Sequence, residues 1–217
     1  MVEPDVPQRT WRVPARIETA RLVLRPYTLE DVAAMDDVIP ANREHLLTFL
    51  PWAVDEPVGT EKRTELVEKF IADFKAGTAF TLGIFDRATG EFIGGTGLHL
   101  RDHPGHLEIG YWLAEHRQGE GLMTEAAAAL TRVALQWSHS PFVEIRCSPA
   151  NARSRLVPQR LGFALVDTLE TTCGSDAREE LTELWQLTPE AFLDSPASAE
   201  ARPALVDGIG SPLAWPV

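Results

Sequence analysis

No stretch of this chain limits its architecture more than the one running from Leu107 to Trp137. Leu107-Glu-Ile-Gly-Tyr-Trp-Leu113 reads as a strand. His116-Arg-Gln-Gly-Glu-Gly-Leu-Met-Thr-Glu125 then crosses two glycines, and Ala126 to Trp137 is an Ala/Leu-rich helical run. Strand, glycine turn, helix sets a helix N-terminus at the end of a sheet strand. The first helical N–H groups have no internal partners there, and the helix dipole adds partial positive charge, so such a corner holds phosphate. A tight corner with no ligand is the alternative reading. Gly119-Glu-Gly121 is not a dinucleotide fingerprint, because position 124 is Thr, and no Gly-Lys-Ser/Thr of a Walker loop follows. Arg117 and Gln118 offer donors just before the glycines, Thr124 offers a hydroxyl on the first helical turn, and Glu120 is expected to face solvent.

The segments around this corner alternate between the two secondary-structure periods. Residues 1 to about 14 carry Pro4, Pro7 and Pro14 and read as an irregular arm. Arg21-Leu-Val-Leu-Arg-Pro26 reads as a strand stopped by proline. Thr28 and Asp31 predict a helix start, with the helix reaching about Asp37. A short helix over Asn42 to Leu50 is ended by Pro51-Trp52. Residues 60–76 predict an amphipathic helix with Leu66, Val67, Phe70, Ile71 and Phe74 on one face, stopped by Gly77. The period then shortens. Strands are expected over 79–85, 92–100 and 107–113, a helix to about Ser138, a strand over 142–147 and a helix over 152–161. Gly162-Phe163 starts a return strand, and Glu180 to Leu187 is a last strand or a helix. Pro158, just past the first turn of the 152–161 helix, predicts a late start or a kink. The prolines and small residues beyond Pro189 predict a loosely packed extension with one helical turn near 190–193. The order is that of an α+β protein, with one mixed, mostly antiparallel sheet and helices on both faces.

With 44% hydrophobic and 24% charged residues among 217, the chain can bury one full core. Its net charge of −12 argues against a nucleic-acid partner, which needs a basic face. An acidic surface favours cationic partners such as amines or basic peptide tails, and equally serves solubility. Two cysteines, Cys147 and Cys173, stand far apart and form no disulfide framework, which suits a reducing cytoplasm. No apolar run approaches the length of a membrane span, and the acidic start Met-Val-Glu-Pro-Asp has no apolar core of a signal peptide. His99, Asp102, His103 and His106 suggest metal by residue type, but they fall on a hairpin turn around Pro104-Gly105 and read as a solvated turn; no metal is expected. Cys147, at a strand end with no legible His/Asn arrangement, reads as a packed thiol.

After the strand 142–147 comes Asn151-Ala-Arg-Ser154. Asn151 suits a helix N-cap, and Ser154 shares its face, where its hydroxyl can aim at the end of that strand.

Together these pieces resemble a known family. His116-Arg-Gln-Gly-Glu-Gly-Leu-Met-Thr-Glu-Ala126 resembles the pyrophosphate loop of the GNAT N-acetyltransferases, Gln/Arg-x-x-Gly-x-Gly/Ala. Glu18-Thr-Ala-Arg-Leu-Val-Leu-Arg-Pro26, Asn42-Arg-Glu-His-Leu46 with Leu50-Pro-Trp52, Ile93-Gly-Gly-Thr-Gly97, Glu108-Ile-Gly-Tyr-Trp-Leu113 and Asn151-Ala-Arg-Ser154 with Leu161-Gly-Phe163 are similar to the RimJ/RimL branch, which acetylates N-terminal amines of ribosomal proteins. The resemblance covers roughly residues 16–188, implying an N-terminal arm (1–15), a GNAT domain (16–188) and a C-terminal extension (189–217). The chain departs from the pattern at two places. His116 stands at the first loop position, and Pro158 stands seven residues past Asn151, where many GNAT enzymes carry a Tyr general acid.

The resemblance implies direct acetyl transfer from acetyl-coenzyme A to a primary amine of a protein N-terminus or small molecule. Backbone groups of Trp112, Leu113 and Ala114 would serve the pantetheine and thioester. Arg117, Gln118, Gly119, Glu120, Gly121, Leu122, Met123 and Thr124 would hold the pyrophosphate. Asn151 would contact the pantetheine and Ser154 would donate to the sulfur. Glu108 and Glu144 are each candidates for a base acting through water, or for structural or cation-binding carboxylates, and an α-amine needs little help from a base. Trp52 is a candidate wall of the acceptor pocket or a core residue. A larger donor such as succinyl-coenzyme A, or a non-catalytic coenzyme-A-binding module, stays open, as does a homodimer.

Overall fold

The computed structural model describes residues 11–100, 105–173 and 178–216. Ten strands form one sheet: β1 (Arg16–Glu18), β2 (Leu22–Pro26), β3 (Phe80–Asp86), β4 (Phe92–His99), β5 (Leu107–Leu113), β6 (Val143–Cys147), β7 (Ala164–Cys173), β8 (Arg178–Leu187), β9 (Ala204–Val206) and β10 (Pro212–Leu213). Their order across the sheet is β10-β9-β1-β2-β3-β4-β5-β6-β8-β7. Among the described residues only β5 and β6 run parallel; the other neighbours are antiparallel, so the mixed α+β reading holds.

Period-2 alternation divides the core between the two sheet faces. On one face Leu22, Leu24, Leu82, Ile84, Leu107 and Ile109 pack against α4 (Leu122–Arg132) and α5 (Ala152–Leu161). Ala126 to Ala129 are buried there, and their small side chains let α4 lie close to the strands. On the other face Val23, Phe85 and Phe92 pack against α1 (Val32–Ala41), α2 (Arg43–Leu47) and α3 (Thr60–Ala76). Tyr111 packs on the α4 face and Trp112 on the α1–α3 face, as their adjacent positions in β5 require.

The helix α3 has the expected bounds, with Val67 buried and Phe70 and Ile71 packed beneath it. Its amphipathic pattern concealed one feature. Arg63 is only 2% exposed, held by Glu56 at 2.6 Å and Asp36 at 3.1 Å. The helix α1 runs past Asp37 to Ala41 with Pro40 in its last turn, because Ile39 is buried and draws the turn inward. It begins only after a 3₁₀ turn over Leu29–Asp31, where Asp31 accepts from the Thr28 N–H at 2.7 Å. The helix after the glycine corner ends in a wider π turn over Val133–Trp137. Pro158 neither delays nor ends α5, which starts at Ala152 and carries the proline inside it. The segment Arg178–Leu187 is a strand, and the helical alternative is set aside.

The C-terminal segment is not loosely packed. After α6 (Pro189–Leu193) and α7 (Pro196–Ala199), β9 pairs with β1, Arg16 opposite Val206, and β10 with β9. Phe192, Ala197 and Leu205 are buried, and Arg132 donates to the carbonyls of Ser198 and Glu200 at 2.8 and 3.0 Å. Of the prolines that read as loop signals, Pro189 and Pro196 stand at the first turns of short helices, where a missing N–H costs nothing.

Candidate active site

The parallel pairing of β5 and β6 is short: Leu107 lies opposite Val143 and Glu108 opposite Glu144, and there it stops. Beyond that point β6 continues only beside β8, and β5 only beside β4. The two strands splay, leaving backbone groups exposed along an opening between them. The Ala114 N–H donates to the Ile93 carbonyl at 2.8 Å, and the Ala114 carbonyl accepts from Arg117 N–H at 3.0 Å. By the alternation of an antiparallel ladder, Trp112 also turns its backbone to β4, while Leu113 and Tyr111 turn theirs to the opening. Of the three residues expected to offer backbone groups, Leu113 therefore faces the splay, and Tyr111 joins it.

At the mouth of the splay the chain makes the predicted corner. Gly119 and Gly121 have φ of +81° and +78°, a conformation in which a side chain is strained. Gly121 is the N-cap of α4 and provides no side-chain acceptor, so the N–H groups of the first turn, Leu122 to Thr124, point outward uncapped. The Leu122 side chain itself is buried, and Met123 packs partly on the core. Thr124 is half-buried on the same turn. The loop is locked from outside. Arg117 does not reach into the cradle: it pairs with Asp86 at 2.8 Å, Glu91 at 3.1 Å and Glu120 at 3.3 Å. Hydrogen bonding from Arg117 holds the Asp86 carboxyl down at about 2. Glu120 is half-exposed, in keeping with its expected outward position. Arg21 donates to the Glu120 carbonyl at 2.9 Å, and Glu125 accepts from Thr19 at 2.6 Å and from Arg21 Nε at 2.6 Å. On the inner side Asn42 accepts from the Glu115 N–H at 2.7 Å, and Gln118 bridges His45 of α2 and Arg153 of α5. These contacts explain why the sequence carries Asn42 and His45 so far from the loop they brace.

On the α4 face, at the end of β6, Asn151 caps α5 by accepting from the Ser154 N–H at 3.0 Å. Ser154 is half-buried, and its Oγ lies 3.1 Å from the Tyr111 hydroxyl. Beside them Cys147 is buried; burial, reinforced by Glu183, pushes its thiol up to about 11, so it stays protonated. Tyr111, Ser154 and Cys147 are themselves neutral, and the charges nearest them on this face are paired, Arg155 with Glu183 at 2.8 Å.

The opposite face is charged. Glu108 and Glu144 are 3% and 1% exposed and flank Arg146, which lies 3.2 Å from the first and 2.6 Å from the second. Gln186 donates to Glu144 at 2.8 Å, and His106 Nε2 stands 3.8 Å away. Burial pushes Glu144 up, but His106, Gln186 and Arg146 outweigh it and hold the carboxyl at about 2. A carboxylate held so low is a weak base, and the geometry gives Glu144 a structural place. His106 is not on a solvated turn, as read from sequence. It is buried and stacked on Phe142 with ring centroids 4.3 Å apart. Asp102 and His103 lie outside the described residues. No group of three metal-binding side chains comes together among the described residues.

Trp52 stands on this same side. It is 42% exposed, which removes it from the core, and meets Trp112 edge-on at 6.2 Å. The Trp112 ring in turn crosses Gly95, where a Cβ would fall 2.4 Å from Trp112 Nε1, so the glycine clears space for the indole. The segment bearing Trp52 is pinned by the buried Arg63–Glu56 pair and by Arg43, which donates to the Glu56 and Val54 carbonyls at 2.7 and 3.1 Å. Tyr111, Glu125, Asp86 and Arg63 were not singled out from sequence; a lone Tyr in a strand and a lone Arg on an amphipathic helix carry no local signal of these contacts.

A splayed parallel pair, an uncapped helix N-terminus at its mouth and a serine at its inner end fit an extended phosphorylated thioester. The comparisons agree. The acetyltransferase (GNAT) domain family matches residues 21–164. The [ribosomal protein uS5]-alanine N-acetyltransferase of Escherichia coli is 31% identical over 153 residues, 68% of this chain and 77% of that protein. Among solved structures, Mycobacterium smegmatis RimJ in complex with a coenzyme A disulfide superposes with a TM-score of 0.72 at 26% identity, covering 87% of this chain and 90% of that one. RimL, the ribosomal L7/L12 alpha-N-protein acetyltransferase, in complex with coenzyme A gives 0.72 at 22%, covering 82% and 98%. On these grounds, and on the geometry that precedes them, the chain belongs to the GNAT acetyltransferases, in the RimJ/RimL-like branch, and is an acetyl-coenzyme-A-dependent enzyme.

Proposed function

We propose that the protein acetylates the α-amine of a protein N-terminus. The carrying observation is the exposed Trp52, which meets Trp112 of β5 edge-on and offers a solvent-facing apolar wall. The names of the relatives support it: one modifies an alanine of ribosomal protein uS5, another is an alpha-N-protein acetyltransferase of L7/L12. The acidic net charge suits basic ribosomal acceptors. The cytoplasm, where acetyl-coenzyme A and new N-termini meet, is the compartment this reading assigns.

Bound acetyl-coenzyme A supplies the thioester carbonyl for attack and the thiolate that departs. The C–N bond forms as the C–S bond breaks with its electron pair on sulfur, and the amine's surplus proton passes to solvent or to the departing thiolate. The first-turn N–H groups of α4 and the positive-φ turn at Gly119 and Gly121 hold the pyrophosphate. Leu113 N–H, turned to the opening, polarises the carbonyl. Asn151 contacts the pantetheine arm and Ser154 Oγ–H donates to the sulfur. Neither Glu144, with its lone pairs committed to Arg146 and Gln186, nor Glu108, shared with the same arginine, is needed as a strong base, since an α-amine is partly neutral near pH 8.

A panel of peptides with free N-termini, free lysine-containing peptides with blocked N-termini, and small amines, each assayed by thiol release, tests the acceptor. Acetylation confined to free peptide N-termini is expected. Turnover only with small amines overturns it. Replacing acetyl- with succinyl-coenzyme A in the same panel tests the donor.

A further inference from the structure

Tyr111 sits beside the proposed leaving-group donor. Its hydroxyl lies 3.1 Å from the Ser154 carbonyl oxygen and 3.1 Å from Ser154 Oγ. Its ring packs on the core beneath α4, and its backbone faces the splay. Ser154 alone is a free rotor: its hydrogen can turn toward Tyr111, toward the Cys147 thiol, or into the opening.

We infer that Tyr111 is a positioning residue for the departing thiolate, its hydroxyl donating to the Ser154 carbonyl and lying against Ser154 Oγ so that the serine is held at the inner end of the splay. The inference rests on Ser154 serving as the donor to sulfur. With Tyr111 donating to the Ser154 carbonyl and Asn151 accepting from the Ser154 N–H, both backbone groups of the serine are tied, which fixes where its hydroxyl sits at the end of β6. Tyr111 gives a hydrogen bond and not a proton. Burial raises its phenol above the ordinary value, so the phenolate is disfavoured. No full proton transfer is required either, because a thiolate whose parent thiol has a pKa of about 8.5 leaves readily when hydrogen-bonded.

Tyr111→Phe, Ser154→Ala and the double variant test this, with two readouts. One is kcat and KM for acetyl-coenzyme A, measured with whichever amine of the panel turns over fastest. The other is the pKa of the thiol of bound coenzyme A, followed by the ultraviolet absorbance of the thiolate across a pH series; this needs no acceptor. Tyr111→Phe is expected to lower kcat about 5-fold with KM unchanged and to raise the bound thiol's pKa, the loss of one hydrogen bond. Ser154→Ala should do the same more strongly, and the double variant should match Ser154→Ala alone. If Ser154→Ala changes neither readout, the assignment of Ser154 falls. If Ser154→Ala acts but Tyr111→Phe does not, or the two effects multiply, Tyr111 is only a packing residue. A thermal melt of Tyr111→Phe confirms that the ring still fills its site.

Discussion

The two faces of the sheet at the splay differ in kind. On the α4 face the side chains at the splay, Tyr111, Ser154 and Cys147, are neutral, and Glu183 beside Cys147 is paired with Arg155. The α1–α3 face carries Glu108, Glu144 and Arg146, with His106 beside them and the exposed Trp52 further out along β5. The two strands that separate these faces are the same, so the contrast comes only from the alternation of side chains along β5 and β6. A neutral, half-buried hydroxyl gives a hydrogen bond without bringing a charge to the departing sulfur. The charged face uses its carboxylates on an arginine of its own, and what it leaves for an acceptor is shape and a hydrophobic wall. On the α1–α3 face, charge holds the strands together.

Breaking the corner that serves both faces should have the largest effect. Gly121→Glu puts a side chain at φ +78° and a carboxylate against the helix N-terminus, and it should weaken acetyl-coenzyme A by at least about 100-fold. The thermal shift produced by millimolar acetyl-coenzyme A in the parent should vanish. Next come the two faces set against each other. Ser154→Ala should cut turnover by roughly 10- to 100-fold while leaving the melting temperature nearly unchanged. Glu144→Gln, which loses the pair with Arg146, should cost about 1–3 kcal/mol of stability and leave turnover of the folded enzyme close to the parent. A Glu144→Gln enzyme that is fully stable but slow would erase the contrast.

The charged face also carries a pH signature. The Glu144 carboxyl is held at about 2 against an ordinary 4.5, so the folded state favours its ionised form. Its contribution is complete above about pH 4.5 and is lost as pH falls toward 2. Melting curves through that window should be steeper for the parent than for Glu144→Gln; identical slopes would show that Glu144 is not held as described. The smallest effect is expected at the rim. Trp52→Ala should raise KM for a peptide acceptor roughly 3- to 10-fold and leave KM for acetyl-coenzyme A alone, as steady-state kinetics with each substrate varied would show.

Much of this was legible because it is local. The bounds of the helix Thr60–Ala76 follow from its period and from Gly77, and the corner at Gly119 and Gly121 follows from strand, glycine and helix in immediate succession. Asn151 as a cap with Ser154 on its face was readable from their spacing of three. What escaped has partners far along the chain. Arg63 looks like one of the solvated charges of an amphipathic helix until Glu56 and Asp36 are brought beside it. Arg117, four residues before the helix N-terminus, looks like a phosphate donor, yet three carboxylates hold it on the outer side of the loop. The C-terminal prolines look like an untethered tail, yet Leu205 finds β1 across almost the whole length of the chain.

By itself the sequence determined the order of elements from β2 to α5, the glycine corner and the serine behind it, since helix period, turn chemistry and capping act within a few residues. Only the tertiary structure decided which backbone groups face the splay, which charges are consumed in holding it, and that Tyr111 meets Ser154. Those outcomes depend on strand register and on where β5 and β6 part, and a register is set by the packing of whole faces rather than by any residue's near neighbours.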